Sequence, residues 1–211
     1  MGSGPKKHRQ RRHINVRQHT AGSGGAGGNV RIIGGQWRGR KLPVADVPGL
    51  RPSGDRVRET LFNWLQHHIS GARCLDLFAG TGVLGFEAAS RGATDVILVD
   101  RSRQAVDVLR QSAQMLEASQ VSVVEGDALT WLDHQQPDQF DIVFIDPPFD
   151  TDLATRALKI LLESDCLSPG AQVYLETPRL SPSALTAGWL TERESVMGDV
   201  RIQLLNRPIN A

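Results

Sequence analysis

Asp146-Pro147-Pro148-Phe149 follows the apolar run Phe140-Asp141-Ile142-Val143-Phe144-Ile145, so a carboxylate stands where a strand should end. Two consecutive prolines stop the strand and stiffen the loop, because neither can donate to a ladder. An acid, a stiff backbone carbonyl and an aromatic ring in that order suit an exocyclic amine on a base. Such an amine is a poor nucleophile, since its lone pair is delocalised into the ring. A carboxylate and a carbonyl that accept both N–H hydrogens favour a pyramidal nitrogen with a freer lone pair. Asp146 is the expected acceptor, with either a hydrogen-bonding or a proton-taking role, and the Pro147 carbonyl is its partner. Phe149, presented by Pro148, would stack on an extruded base. A strand-terminating turn with a buried Phe is the plainer alternative.

A second carboxylate, Asp76, precedes Leu77-Phe78-Ala79-Gly80-Thr81-Gly82-Val83-Leu84-Gly85. Gly80, Gly82 and Gly85 fit G-x-G-x-x-G, and Asp100 comes twenty residues after Gly80 with Arg101 next to it. That spacing places a tight glycine turn and a ribose-binding acid at the ends of adjacent strands. The glycines alone leave a nicotinamide dinucleotide and S-adenosylmethionine both open. Asp76 favours the second, because a carboxylate there repels a pyrophosphate and can hold an ammonium. Asp127 and Ala128, after a third strand, are candidates for the adenine end of such a cofactor. Asp127 as a helix N-cap is a serious competing reading, and both roles are compatible.

These residues need a scaffold that brings strand ends together. Strands are expected at Arg73–Leu77, Val96–Val99, Val121–Val124, Ile142–Ile145 and Val173–Glu176, with helices at 82–91, 103–116, 128–133 and 152–162 between them. Alternating strands and helices imply a parallel sheet covered on both faces. Leu190–Val196 and Val200–Leu205 read as a closing antiparallel hairpin. The fold class expected is therefore α/β, Rossmann-like. Upstream, Val30–Ile33 and Trp37–Leu42 read as a small hairpin turning at Gly34-Gly35, followed by a helix over 56–67 with Val57, Leu61, Trp64 and Leu65 on its apolar face. Residues 1–20 lack apolar periodicity and 21–28 are almost wholly Gly, Ala and Ser, so a disordered tail and linker are expected. The implied division is 1–29 tail, 30–68 hairpin and helix, and 69–211 catalytic domain.

The net charge of +1 conceals an asymmetry: residues 1–45 hold ten Lys and Arg and no acid, leaving the remainder at −9. A basic arm on an acidic body is the footprint of phosphate-backbone binding, although a tail like 1–20 could equally serve solubility. Within the segment that reads as folded, Arg31, Arg38, Arg40 and Lys41 are candidate RNA contacts, as are Arg51, Arg56 and Arg58. Asp55 or Ser53 could cap the helix. No 18-residue apolar run exists and the N-terminus has no apolar signal core, so neither a membrane span nor a secretory leader is expected. Cys74 and Cys166 are the only cysteines, which fits a reducing cytoplasm and neither a disulfide framework nor a metal site.

The stretch Arg51-Pro52-Ser53-Gly54-Asp55-Arg56-Val57-Arg58-Glu59-Thr60-Leu61-Phe62-Asn63 resembles the signature of bacterial 16S ribosomal RNA guanine-N2 methyltransferases of the RsmD type. Arg31-Ile32-Ile33-Gly34-Gly35 and Arg38-Gly39-Arg40 resemble that family too, and the likeness runs from about Val30 to Arg207. It implies a class I S-adenosylmethionine-dependent fold and methylation of the N2 amine of one guanine. It also implies a small ribosomal subunit or late assembly intermediate as substrate and a segment 51–59 that closes over the cofactor; a monomer is expected. The motif around Asp76 resembles the first motif of class I methyltransferases. Asp100 stands where the family often carries Glu. Alternatives are an adenine-N6 DNA methyltransferase, which shares the proline motif, a non-catalytic assembly factor, and a nicotinamide-dependent oxidoreductase.

Overall fold

A computed structural model describes residues 28–47, 54–134, 139–182 and 186–208, together with Met1. The expected tail, the linker up to residue 27 and the stretch Arg51 to Ser53 lie outside the described residues. The first elements are the strands β1 (Asn29–Arg31) and β2 (Lys41–Pro43) and the helix α1 (Asp55–Trp64). The alternating part follows as β3 (Arg73–Asp76), α2 (Val83–Ser90), β4 (Asp95–Asp100), α3 (Arg103–Met115), β5 (Val121–Glu125), α4 (Ala128–Asp133), β6 (Phe140–Ile145) and α5 (Leu153–Glu163). Then come β7 (Leu167–Pro178), β8 (Leu190–Met197) and β9 (Val200–Asn206). The large sheet has the order β5-β4-β3-β6-β7-β9-β8. Strands β3 to β7 pair in parallel, and β9 inserts antiparallel between β7 and β8. The strand order reverses between β3 and β6, where open α/β sheets place their ligands.

Both faces of the parallel part are buried, so its strands are nearly continuous in apolar residues and the alternation sorts them by face. Cys74, Leu98, Ile142, Phe144 and Tyr174 share one core with Phe86 and Leu109. Leu75, Val99, Val143, Ile145 and Leu175 share the other with Leu129, Leu132 and Leu158. Every residue of α2 is buried. A helix buried all round must be covered on its outer side as well. The N-terminal elements complete that core: Val30, Ile32, Leu42, Val57, Leu61 and Phe62 belong to it.

The small hairpin departs from the sequence expectation. The second strand was expected over Trp37–Leu42 after a two-residue turn, but β2 begins at Lys41, and residues 32–40 form a loop. The cause is tertiary. Gln36 and Trp37 donate backbone N–H groups to the Ser90 carbonyl at 2.8 Å and Oγ at 2.9 Å, while Ser90 Oγ donates to the Gly34 carbonyl at 2.6 Å. Gly35 takes φ +73°, and a Cβ there would sit 1.8 Å from the Ser90 carbonyl oxygen. Ile32 still bonds across to Gly39 and Arg40, but Gln36 and Trp37 bond to the end of α2 instead of to a partner strand. Two boundaries also move: α1 stops at Trp64, and β7 extends from Leu167 to Pro178 through a register shift opposite Phe140 and Ile142.

Among the described residues no helix is long and apolar enough to cross a membrane. Cys74 and Cys166 are free and buried.

Candidate active site

The C-terminal ends of β3, β4 and β6 converge. Asp76 closes β3 opposite Phe144, and the Leu77 N–H continues the ladder to the Phe144 carbonyl at 3.2 Å. The glycine loop then crosses toward β4, where Ala79 N–H donates to the Val99 carbonyl at 2.9 Å. Gly80 and Gly82 take φ +51° and +71°, a region most side chains disfavour. Asp100 pins the loop: its Oδ2 accepts from Gly80 N–H at 2.8 Å and its Oδ1 from Ser102 N–H at 2.7 Å. Thr81 is buried and its Oγ1 accepts from Val83 N–H at 3.3 Å.

Not every glycine of the motif is there for a ligand. A Cβ on Gly85 would lie 2.1 Å from Leu98 Cδ2, so this glycine lets α2 close on β4. Its N–H donates to Asp76 Oδ2 at 3.2 Å. Asp76 is 2% exposed. Burial pushes its carboxyl up to about 7, the Asp100 charge adds to the rise, and the N–H bonds from Gly85 and Phe78 offset part of it. A buried carboxylate poised near neutrality fits a cationic group and opposes a pyrophosphate.

Asp127 caps α4, accepting from Thr130 N–H at 2.9 Å, and that bond holds its carboxyl below the usual range. Its side chain is exposed, Ala128 is buried, and Gly126 N–H ties the preceding turn to the Asp100 carbonyl at 3.0 Å. Phe78 is half-buried against the second core, and Arg101 is exposed.

Asp146 follows β6 directly and is half-buried; Pro147 is buried, Pro148 exposed, and Phe149 exposed to 44%. Thr151 Oγ1 donates to the Pro148 carbonyl at 2.7 Å, which fixes the turn. An exposed large ring on a turn of this stiffness is ready to stack. Beside this loop stand two residues that sequence reasoning missed. The Tyr174 hydroxyl donates to Glu176 Oε2 at 2.7 Å, and both are buried in the C-terminal half of β7.

Among the described residues, the candidate cations sit on β1, the loop after it, β2 and α1. Arg58, expected to face RNA, is fully buried: it donates to Asp55 Oδ1 at 2.6 Å and the Arg31 carbonyl at 2.9 Å, and lies 3.5 Å from Glu87 Oε2. Its guanidinium joins α1 to α2, which corrects the sequence expectation. Glu87 also accepts from Ile33 N–H at 2.8 Å and Arg91 Nε at 2.8 Å. The signal for it was legible: Glu87 is the lone charge in Val-Leu-Gly-Phe-Glu-Ala-Ala-Ser. Arg31, Arg38, Arg40, Lys41 and Arg56 are exposed. Arg31 pairs with Asp55 at 3.6 Å, and Arg40 donates to the Met115 carbonyl at 3.1 Å. Arg38 and Arg40 ride on the loop docked at Ser90, at the far end of α2 from Gly82, about 12 Å away along the helix.

Residues 30–206 match the family model described as conserved hypothetical protein 95. Ribosomal RNA small subunit methyltransferase D of Haemophilus influenzae is 44% identical over 182 residues, covering 85% of this chain and 94% of that protein. The protein of the same name from Escherichia coli is 44% identical over 181 residues, covering 85% and 91%. The solved structure of yhhF from Escherichia coli, which is labelled a candidate methyltransferase, superposes with TM-score 0.76 at 44% identity over 85% of this chain and 98% of that one.

Proposed function

Because this chain belongs to the conserved hypothetical protein 95 family, whose relatives include the ribosomal RNA small subunit methyltransferases D, we propose that it methylates the exocyclic N2 amine of a guanine in the 16S RNA of the small subunit. The chain is an RNA methyltransferase; the base, the amine and the residue roles are our reading. The observation that carries it is the position of Asp146-Pro147-Pro148-Phe149 beside the glycine loop, with the carboxylate half-buried and the ring exposed. An adenine-N6 DNA methyltransferase shares the proline motif but is not favoured by relatives named as ribosomal RNA methyltransferases.

S-adenosylmethionine fits the donor set and supplies an electrophilic methyl group on a sulfonium. Asp76 would hold its ammonium, Asp100 its ribose hydroxyls through lone pairs left over from Gly80 and Ser102, and Asp127 with Ala128 the adenine end. Phe78, Ala79, Gly80, Thr81 and Gly82 would line the close approach, with Arg101 at its rim. Asp146 and the Pro147 carbonyl accept the amine hydrogens and orient the nitrogen lone pair toward the methyl carbon. Phe149 stacks on the base, a contact worth about 1–3 kcal/mol. Holding both reactants at attack distance supplies much of the rate enhancement. Ribosomal RNA from a strain lacking this enzyme, mapped by mass before and after treatment of its small subunits with enzyme and cofactor, tests the reading. One new N2-methylguanine is expected; methyl on adenine, or none, overturns it.

Two further outcomes are expected. A cation beside Asp76 stabilises its carboxylate, so cofactor binding below about pH 7 must expel a proton. Cofactor affinity should then fall about tenfold per pH unit below that point and level off above it. Calorimetry at pH 5.5, 6.5 and 8 reads this, and a flat profile would remove Asp76 from the ammonium site. For the cofactor-free protein the sign reverses. A carboxyl raised from 3.8 to about 7 by folding contributes stability at low pH that is lost as pH rises through 7. If Arg38, Arg40 and Lys41 meet RNA phosphates, replacing all three with Ala should reduce the slope of log affinity against log salt by about 2–3. An unchanged slope in a filter-binding titration would assign them to solvent.

A further inference from the structure

Glu176 has no role in the chemistry derived above, yet its place in the sheet is telling. Strands β6 and β7 run parallel with Ile145 paired to Leu175, so the next residues along the two chains are Asp146 and Glu176. Adjacent strands lie about 4.8 Å apart. One step back, Phe144 and Tyr174 meet edge to face at 6.3 Å. The alternation that puts those rings on one face carries on to the two acids. Tyr174 feels both: burial chiefly, then the charges of Glu176 and Asp146, hold its hydroxyl well above its usual range. A carboxylate buried to 6% exposure needs hydrogen-bond donors, and Tyr174 supplies one to Oε2 at 2.7 Å.

We propose that Glu176, held by Tyr174, reads the N1–H of the target guanine while Asp146 holds its N2 amine. This inference rests on the guanine-amine reading above. The Watson–Crick edge of guanine presents N1–H and N2–H side by side, two donors at neighbouring positions, and two carboxylates on neighbouring strands match them. Adenine presents a bare N1 lone pair, which a carboxylate repels. The pair thus selects the base in addition to the amine, and Tyr174 keeps the reading carboxylate in place before the base arrives. Sites built to bond a polar group reject analogues that lack it far more strongly than apolar pockets reject a missing methylene.

2-Aminopurine separates the two functions, since it keeps the N2 amine and replaces N1–H with a lone pair. Small subunits would be reconstituted with ligated 16S RNA carrying either guanine or 2-aminopurine at the mapped target. Wild-type kcat/KM should be at least about 100-fold lower for 2-aminopurine. Glu176→Gln, whose carboxamide can donate to that lone pair, should lose activity on guanine and narrow the ratio at least about tenfold. Cofactor affinity should not change. Tyr174→Phe should lower activity on guanine and keep the preference, because the carboxylate remains. Equal loss on both bases in Glu176→Gln would mean a structural role and overturn the proposal. So would wild-type enzyme using 2-aminopurine as well as guanine, a comparison that needs no variant to fold. Failure of the guanine-amine reading itself would show separately, as no N2-methylguanine on guanine-bearing particles.

Discussion

Asp146→Ala is expected to slow methyl transfer about 10²–10³-fold while leaving the fold and cofactor binding intact. The half-buried carboxylate sits on a turn stiffened by Pro147 and Pro148 and fixed by Thr151, so it meets the amine without rearranging. Alanine removes that acceptor and leaves the nitrogen lone pair in conjugation with the base. The carboxylates assigned to the cofactor, Asp76 and Asp100, close other strands, so cofactor affinity serves as the internal control. Asp146→Asn keeps one carbonyl oxygen as acceptor and should lose less. Single-turnover methylation of small subunits, with calorimetric cofactor titration alongside, separates chemistry from binding. A variant that transfers methyl at the wild-type rate would remove Asp146 from the centre.

Glu87→Ala is expected to destabilise the protein by about 3–5 kcal/mol, because the buried Arg58 guanidinium loses its buried counter-charge and keeps the half-exposed Asp55. Arg58 and Glu87 are both fully buried, so solvent cannot step in. The loss extends further, because Ile33 N–H and Arg91 Nε also donate to this carboxylate. For a chain of this size the fall in melting temperature should be roughly 6–20 °C. Arg58→Leu combined with Glu87→Leu should lose less than the two single changes added together, since the buried charge is then gone from both sides. Urea unfolding of the four proteins closes the cycle. Strict additivity would mean that the pair is not coupled.

Much of the fold was legible because its signals are local. Strand ends, glycine turns and the Asp127 cap follow from a few adjacent residues, whereas α1 is capped by Gly54 and not by the expected Asp55 or Ser53. The parallel pairing of β3 to β7 follows from their alternation with helices. Asp76, Asp100 and Asp146 were identifiable because each closes an apolar strand run. The failures share a cause. Arg58 reads as a surface cation in Asp-Arg-Val-Arg-Glu, and nothing nearby in sequence announces that its partner is Glu87. Trp37 to Arg40 has the composition of a strand but bonds to Ser90 instead. Glu176 read as the plain end of a strand, because its meaning comes from β6 beside it. Contacts across tens of residues decide these cases, and one chain without its partners in space does not display them.

The dock that Ser90 offers to Gly34 lies 56 residues further along the chain. During synthesis the hairpin therefore emerges before α2 and waits. At about 5–20 residues per second the delay before Ser90 is made is roughly 3–11 s. Throughout it Val30, Ile32 and Leu42, which end in the core, have no α2 to cover. A nascent chain halted anywhere before Glu87 is thus a sticky intermediate that needs shelter. The last turn of α2 is the point in translation after which the N-terminal hairpin can find its place.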